Sequence, residues 1–214
     1  GQGIGLLTQL GIVFQVCKGL EGLYFHHLPY HVAIRPSNIF LTTDLRTVKI
    51  ADALVADAFL QNGNLNFIGA EYYTPELIRE IPQDHRSDIY QLGILLFEMM
   101  VGHPPFCFKV EDEIKDEHLH LNAATRVEAS LLHAEVKDML IRMLEKNPSG
   151  RYASATELGE ELSHLLGYDK KQQVQVPNLR FDFAELSMVG KNTREKGEET
   201  LAIRLPAVNN RARG

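Results

Sequence analysis

The feature that most constrains this chain is the stretch "SDIYQLGILLFEMMVGHPPF", residues 87–106. Between residues 89 and 101 apolar side chains fall on every face of a helix, with Gln91 and Glu98 as polar exceptions. A helix with no face to give to water belongs in the middle of a bundle, so the fold has to supply other helices around it. The run is too short to cross a membrane, which takes about 20 residues. Ser87 is the expected N-cap, and Gly102 with Pro104 the expected stop.

The surrounding elements can be read from their periods. Leu6, Leu7, Leu10, Val13, Phe14, Cys17, Leu20 and Tyr24 recur at three- and four-residue steps, which predicts one amphipathic helix ending near His26 and His27. "NIFLT" and "TVKIA" are β-favouring runs joined by "TDLR", which predicts a short hairpin with a polar loop before it and Asp52 after it. Thr74 and Pro75 close a loop rich in Asn and Gly. A charged helix is expected near 109–119, and another on Leu132, Val136, Met139, Leu140 and Met143 that ends at "NPSG". Ser154 and Glu157 stand in capping-box spacing before a last helix that buries Leu158, Leu162 and Leu165. The expected fold class is mainly α with one small β-hairpin.

Charge divides the chain. Residues 1–167 carry 13 Lys and Arg against 22 Asp and Glu, a net of −9, and residues 168–214 carry 9 against 6, a net of +3. That shift predicts a boundary at 167, with a linker or tail, or the start of a further domain, expected over residues 168–214. The overall −6 argues against general attraction to nucleic acid or an anionic membrane surface. Cys17 and Cys107 lie in apolar surroundings and read as two buried thiols in a reducing, cytoplasmic setting. The start "GQGIGLLTQL" has neither an initiating Met nor a basic region, so no signal peptide is read and the chain is expected to begin inside a longer protein. His118 and His120 suggest a metal pair only superficially. No third ligand is evident, and solvated surface histidines are the expectation.

Taken in order, these pieces resemble the helical C-terminal lobe of the protein-kinase family over about residues 6–167. "HVAIRPSNIF", residues 31–40, resembles the catalytic loop whose pattern is H-R-D-L-x-x-x-N. In that register His31 matches the His, Ala33 falls on the catalytic Asp, Arg35 on the Lys usual in Ser/Thr-type kinases, and Asn38 on the magnesium-binding Asn. "ADAL" is similar to the metal-binding D-F-G segment, with Asp52 matching and Ala53 and Leu54 replacing Phe and Gly. "TPE", residues 74–76, resembles A-P-E, and residues 87–106 resemble the central helix of bacterial-type Ser/Thr kinases. The resemblance implies that Asp88 braces the loop backbone and that Arg151 pairs with Glu76. The Gly-rich loop, strand Lys and αC Glu of the N-terminal lobe have no counterpart in the chain.

The chemistry follows from residue types. Magnesium needs oxygen ligands, which Asp52 and Asn38 can supply; the plainer readings are a solvated strand end and a loop amide bonding its own backbone. A methyl at Ala33 cannot accept a substrate proton, help that is worth about 10²- to 10⁴-fold. Arg35 keeps a positive charge but is equally well read as a structural or surface ion-pair member. The expectation is therefore a pseudokinase: a kinase-like domain, catalytically impaired, acting in signalling as a regulator or scaffold by binding a protein partner or neighbouring domains. ATP and magnesium are implied by the resemblance only, with no substantial binding expected of this chain alone. The rival expectation is a Ser/Thr kinase that transfers the ATP γ-phosphate to protein hydroxyls when an N-terminal lobe is present. A truncated product with no selected role stays a third reading.

Overall fold

The computed structural model describes residues 5–42, 47–52, 68–107, 110–130, 132–167 and 200–202. Ala53, Leu54 and the expected "TDLR" turn fall outside them, as does the tail apart from 200–202.

Helix α1, Leu6–Phe25, turns Leu10, Val13, Cys17 and Leu20 inward and leaves Leu7 and Phe25 exposed, as the three- and four-residue spacing requires. The chain then passes through a 3₁₀ turn at Pro36–Asn38 into strand β1, Ile39–Thr42, which pairs antiparallel with β2, Val48–Ile50. Helix α2, Pro75–Ile78, is a single turn capped by Thr74, whose Oγ1 accepts the Leu77 N–H. Helix α3, His85–Val101, is the apolar rod: Leu92, Ile94, Leu95 and Leu96 are all fully buried. It is followed by α4, Glu111–His120, α5, Ala123–Glu128, α6, Ala134–Met143, and α7, Ala155–Leu165. One cluster of buried side chains runs through α1, the hairpin, α3, α6 and α7, so α3 is enclosed as its sequence demands. Gly93 permits that enclosure, since a Cβ there would lie 2.9 Å from the Met143 Cβ.

Several details correct the sequence reading. Asp84, not Ser87, caps α3, accepting the Arg86 N–H; the helix therefore begins at His85 and Ser87 is buried in its first turn. Ser154 does cap α7, but the Glu157 carboxylate reaches the Ala153 N–H rather than that of Ser154. The sheet has three strands, in the order β2-β1-β3, because β3, Thr200–Ala202, pairs antiparallel with the outer edge of β1. Cys17 is buried as expected, whereas Cys107 is exposed because Phe106 beside it takes the core position. No helix among the described residues is long and apolar enough to cross a membrane.

Candidate functional site

The loop at 31–38 is held from beneath by α3. The Asp88 carboxylate accepts the His31 N–H on Oδ2 at 2.7 Å and the Val32 N–H on Oδ1 at 2.7 Å, and Tyr24 donates its hydroxyl to Oδ2 at 2.9 Å. Burial pushes the Asp88 pKa up to about 6, and these three hydrogen bonds work against the rise. The anchor is needed: Val32 is β-branched, fully buried and held at φ +56°, a left-handed conformation costly for such a residue. Three residues further along α3, Gln91 bonds the same loop: its Oε1 accepts the Ile34 N–H at 3.0 Å and its Nε2 donates to the Val32 carbonyl at 3.1 Å.

Ala33, Asn38 and Asp52 are brought together. Asn38 donates its Nδ2 to the Ala33 carbonyl at 3.0 Å, and the Ala51 N–H donates to the Asn38 carbonyl at 2.9 Å, which puts Asp52 at the end of the hairpin beside the loop. Asp52 is half-buried with φ +68°, a backbone region that Asp and Asn enter more readily than most residues. Asn38 is buried, and among the described residues its Oδ1 takes a long hydrogen bond from the Ser37 hydroxyl, 3.2 Å. His31 is buried beneath them, its Nδ1 accepting the Ala33 N–H at 3.3 Å. Burial lowers its pKa to about 4, opposed by the Ala51 carbonyl, so the ring is neutral near pH 7. Ala33 itself is 1% exposed and offers a methyl group.

Arg35 is half-buried rather than on the surface and makes no ion pair among the described residues: it donates Nη1 to the Ile68 carbonyl at 3.2 Å and ties the loop to the chain ahead of Gly69. The Glu76–Arg151 pair forms as the resemblance implies. Arg151 grips the carboxylate with both terminal nitrogens, at 2.7 Å and 3.1 Å, and the side chains are 3% and 0% exposed. Ser87 adds its hydroxyl to Glu76 Oε2 at 2.9 Å.

A second polar group lies under α4, and the sequence reading missed it. His118 is fully buried, not a surface residue; the Tyr90 hydroxyl meets its Nδ1 at 3.0 Å and its Nε2 meets the Ala70 carbonyl at 3.1 Å. Burial, followed by the charge of Lys146, drops its pKa to about 3. Lys146 donates to Tyr90 Oη at 3.2 Å and lies 4.0 Å from the Phe106 ring; burial and then Arg151 lower it to about 7. His120 stays exposed on Asp116, and among the described residues no set of three His, Cys, Asp or Glu could hold a metal.

The loop and hairpin could place one carboxylate, Asp52, and one amide oxygen, on Asn38, near each other. That donor set suits a hard cation whose other ligands are water and phosphate oxygens. Among the described residues nothing matches the Gly-rich cradle or the paired Lys that would clamp those phosphates.

A family profile described as "Protein kinase domain" matches residues 9–162. The chain is 30% identical over 188 residues to the serine/threonine-protein kinase PknB of Mycolicibacterium smegmatis, covering 83% of this chain and 29% of that protein. It is 30% identical over 169 residues to PknB of Mycobacterium tuberculosis, 74% of this chain and 26% of that protein. It is 31% identical over 159 residues to an Aurora kinase of Debaryomyces hansenii, 71% of this chain and 36% of that protein. The chain thus spans between about a quarter and a third of the length of these relatives.

Proposed function

The chain belongs to the protein kinase family, and on that premise we propose that it is a pseudokinase: a kinase lobe that has kept its framework, is catalytically impaired, and acts in signalling by binding a protein partner or neighbouring domains. One observation carries the reading. The loop is braced in full, by Asp88 on two N–H groups and by Asn38 on the Ala33 carbonyl, yet the residue so placed is an alanine. A methyl group cannot accept or orient a substrate hydroxyl proton. The Arg151–Glu76 pair supports the same reading, because it fixes shape and takes no part in chemistry.

Asp52 and Asn38 are the residues that would hold magnesium, and a bound magnesium ion would supply charge neutralisation for nucleotide phosphates. Their presence favours the second reading: that the longer protein retains some Ser/Thr kinase activity. A cytoplasmic location and protein partners belong to the proposal, on the ground of the family match.

The test is genetic and uses the full-length gene. Under this reading an Asp52→Asn allele, which removes the charge at a backbone angle Asn accepts, behaves as wild type, whereas an Arg151→Met allele behaves as a loss of function. An Asp52→Asn allele that loses function while its protein is folded and abundant would favour the enzyme reading.

A further inference from the structure

Gln91 is a wholly buried polar side chain in an otherwise apolar helix, and its amide is shared between two loops. Oε1 accepts the Ile34 N–H at 3.0 Å, while Nε2 donates to the Val32 carbonyl at 3.1 Å and to the Tyr72 carbonyl at 2.9 Å. One N–H and two carbonyls can be satisfied in only one orientation of the amide. Val32 and Ile34 belong to the loop that carries Ala33; Tyr72 belongs to the 3₁₀ turn Ala70–Tyr72 that leads into Thr74 and α2. Arg35 makes a second tie between the same two stretches through the Ile68 carbonyl. Moving either loop alone would strand buried backbone groups, which is costly.

Kinase segments in this place are commonly ordered by a phosphate that pairs with arginine. Both halves of that device are missing here. Residues 53–73 contain no Ser or Thr. Thr74 is fully buried with its hydroxyl spent on the Leu77 N–H and Gln83. Tyr72 is buried with its hydroxyl on Glu98, and Tyr73 is 2% exposed. Val32, apolar and buried, stands where the H-R-D-L pattern has its Arg.

We infer that Gln91 locks the 31–38 loop to the 68–74 segment in one arrangement, and that the lock is built in, independent of phosphorylation. The two loops then present a single preformed face without nucleotide, metal or phosphate. This deepens the regulatory reading above, yet the lock stands or falls separately from turnover, because the experiment below reads amide exchange and not phosphate transfer.

The test is native-state hydrogen exchange on the full-length protein. The reporter amides are Asn38, bonded to the Arg35 carbonyl, and Tyr72 and Tyr73, bonded to the Gly69 and Ala70 carbonyls, none of which touches Gln91 through its own N–H. Gln91→Met is expected to speed all three by a common factor on the order of tenfold, since it strands buried partners in both loops at once. Tyr24→Phe, which removes a hydrogen bond to Asp88 and leaves Gln91 in place, is expected to shift Asn38, Tyr72 and Tyr73 by one common factor, and acceleration of Asn38 alone would overturn the lock. Acceleration of one loop alone in Gln91→Met would overturn the lock. Should that variant not fold, the wild-type exchange rates across a urea series serve instead: matching slopes for loop and segment uphold the lock, and separate slopes overturn it. Incubation with Mg·ATP and an active bacterial Ser/Thr kinase is expected to leave residues 53–74 unphosphorylated; a phosphate there that slows exchange in the 31–38 loop would overturn the phosphorylation-independent part.

Discussion

Replacing Arg151 by Met keeps the length and apolar stem of the side chain and removes five donors, all of them in use. Nη1 and Nη2 hold Glu76 and also reach the Arg86 and Lys146 carbonyls at 2.9 Å and 3.2 Å, and Nε reaches the Glu145 carbonyl at 2.7 Å. What remains is a carboxylate that is 3% exposed with one hydroxyl partner, Ser87. Removing one member of such a pair costs about 3–5 kcal/mol, because the other is left charged and unpaired out of water. Domains typically have about 5–15 kcal/mol in total, so Arg151→Met is expected to consume a large share of the stability. Adding Glu76→Gln removes the stranded charge and should restore part of the loss. Urea unfolding of wild type, both single variants and the double variant gives the coupling directly, and we expect it to be at least about 2 kcal/mol. Additive effects, or a cost for Arg151→Met below about 1 kcal/mol, would refute the claim that this pair ties α2 to the helical body.

Acid should destabilise the protein well above the ordinary carboxylate range. His31 and His118 have folded pKa values lowered to about 4 and about 3, so their stabilisation is present above pH 6.5 and is lost as pH falls towards those values; Asp88, raised to about 6, acts in the opposite direction. Between pH 6 and 4.5 these groups leave the unfolded chain with about one more proton than the folded one, which removes about 1.4 kcal/mol per pH unit. Urea midpoints at pH 6.5, 5.5 and 4.5 check the slope, and His118→Gln is expected to flatten it. For nucleotide, a ligand at a hundred times its Kd stabilises by about 2.7 kcal/mol, on the order of 5–10 °C in a chain of this size. With millimolar Mg·ATP we expect no such rise in Tm for this chain, and a rise abolished by Asp52→Asn would contradict that.

How far the sequence reveals the fold depends on where the information lies. The long helices could be read because their apolar faces repeat over several turns, and α3 because it has almost no polar face at all. Its true start could not, because Asp84, His85 and Arg86 carry no apolar period, and a plausible cap at Ser87 follows them. Helices α2 and α5 are too short for any period to show. The loop positions and the Glu76–Arg151 pair were readable only through resemblance, since residues 75 apart in sequence leave no local mark of their contact. Two buried polar residues had a signal that went unused. Gln91 interrupts an apolar helix, and His118 sits four residues from buried Ile114 on the inward face of α4. The pairing of β3 with β1 joins segments about 160 residues apart, which no periodicity can announce.

The central proposal is that the framework of a kinase lobe persists while Ala33 stands in place of the carboxylate that would accept the substrate proton. Its most direct test is the rate of γ-phosphate transfer from Mg·ATP by the full-length protein, to itself and to protein substrates, compared with the Asp52→Asn variant. The account predicts the same background rate for both. Turnover by the wild type that disappears in Asp52→Asn would contradict it.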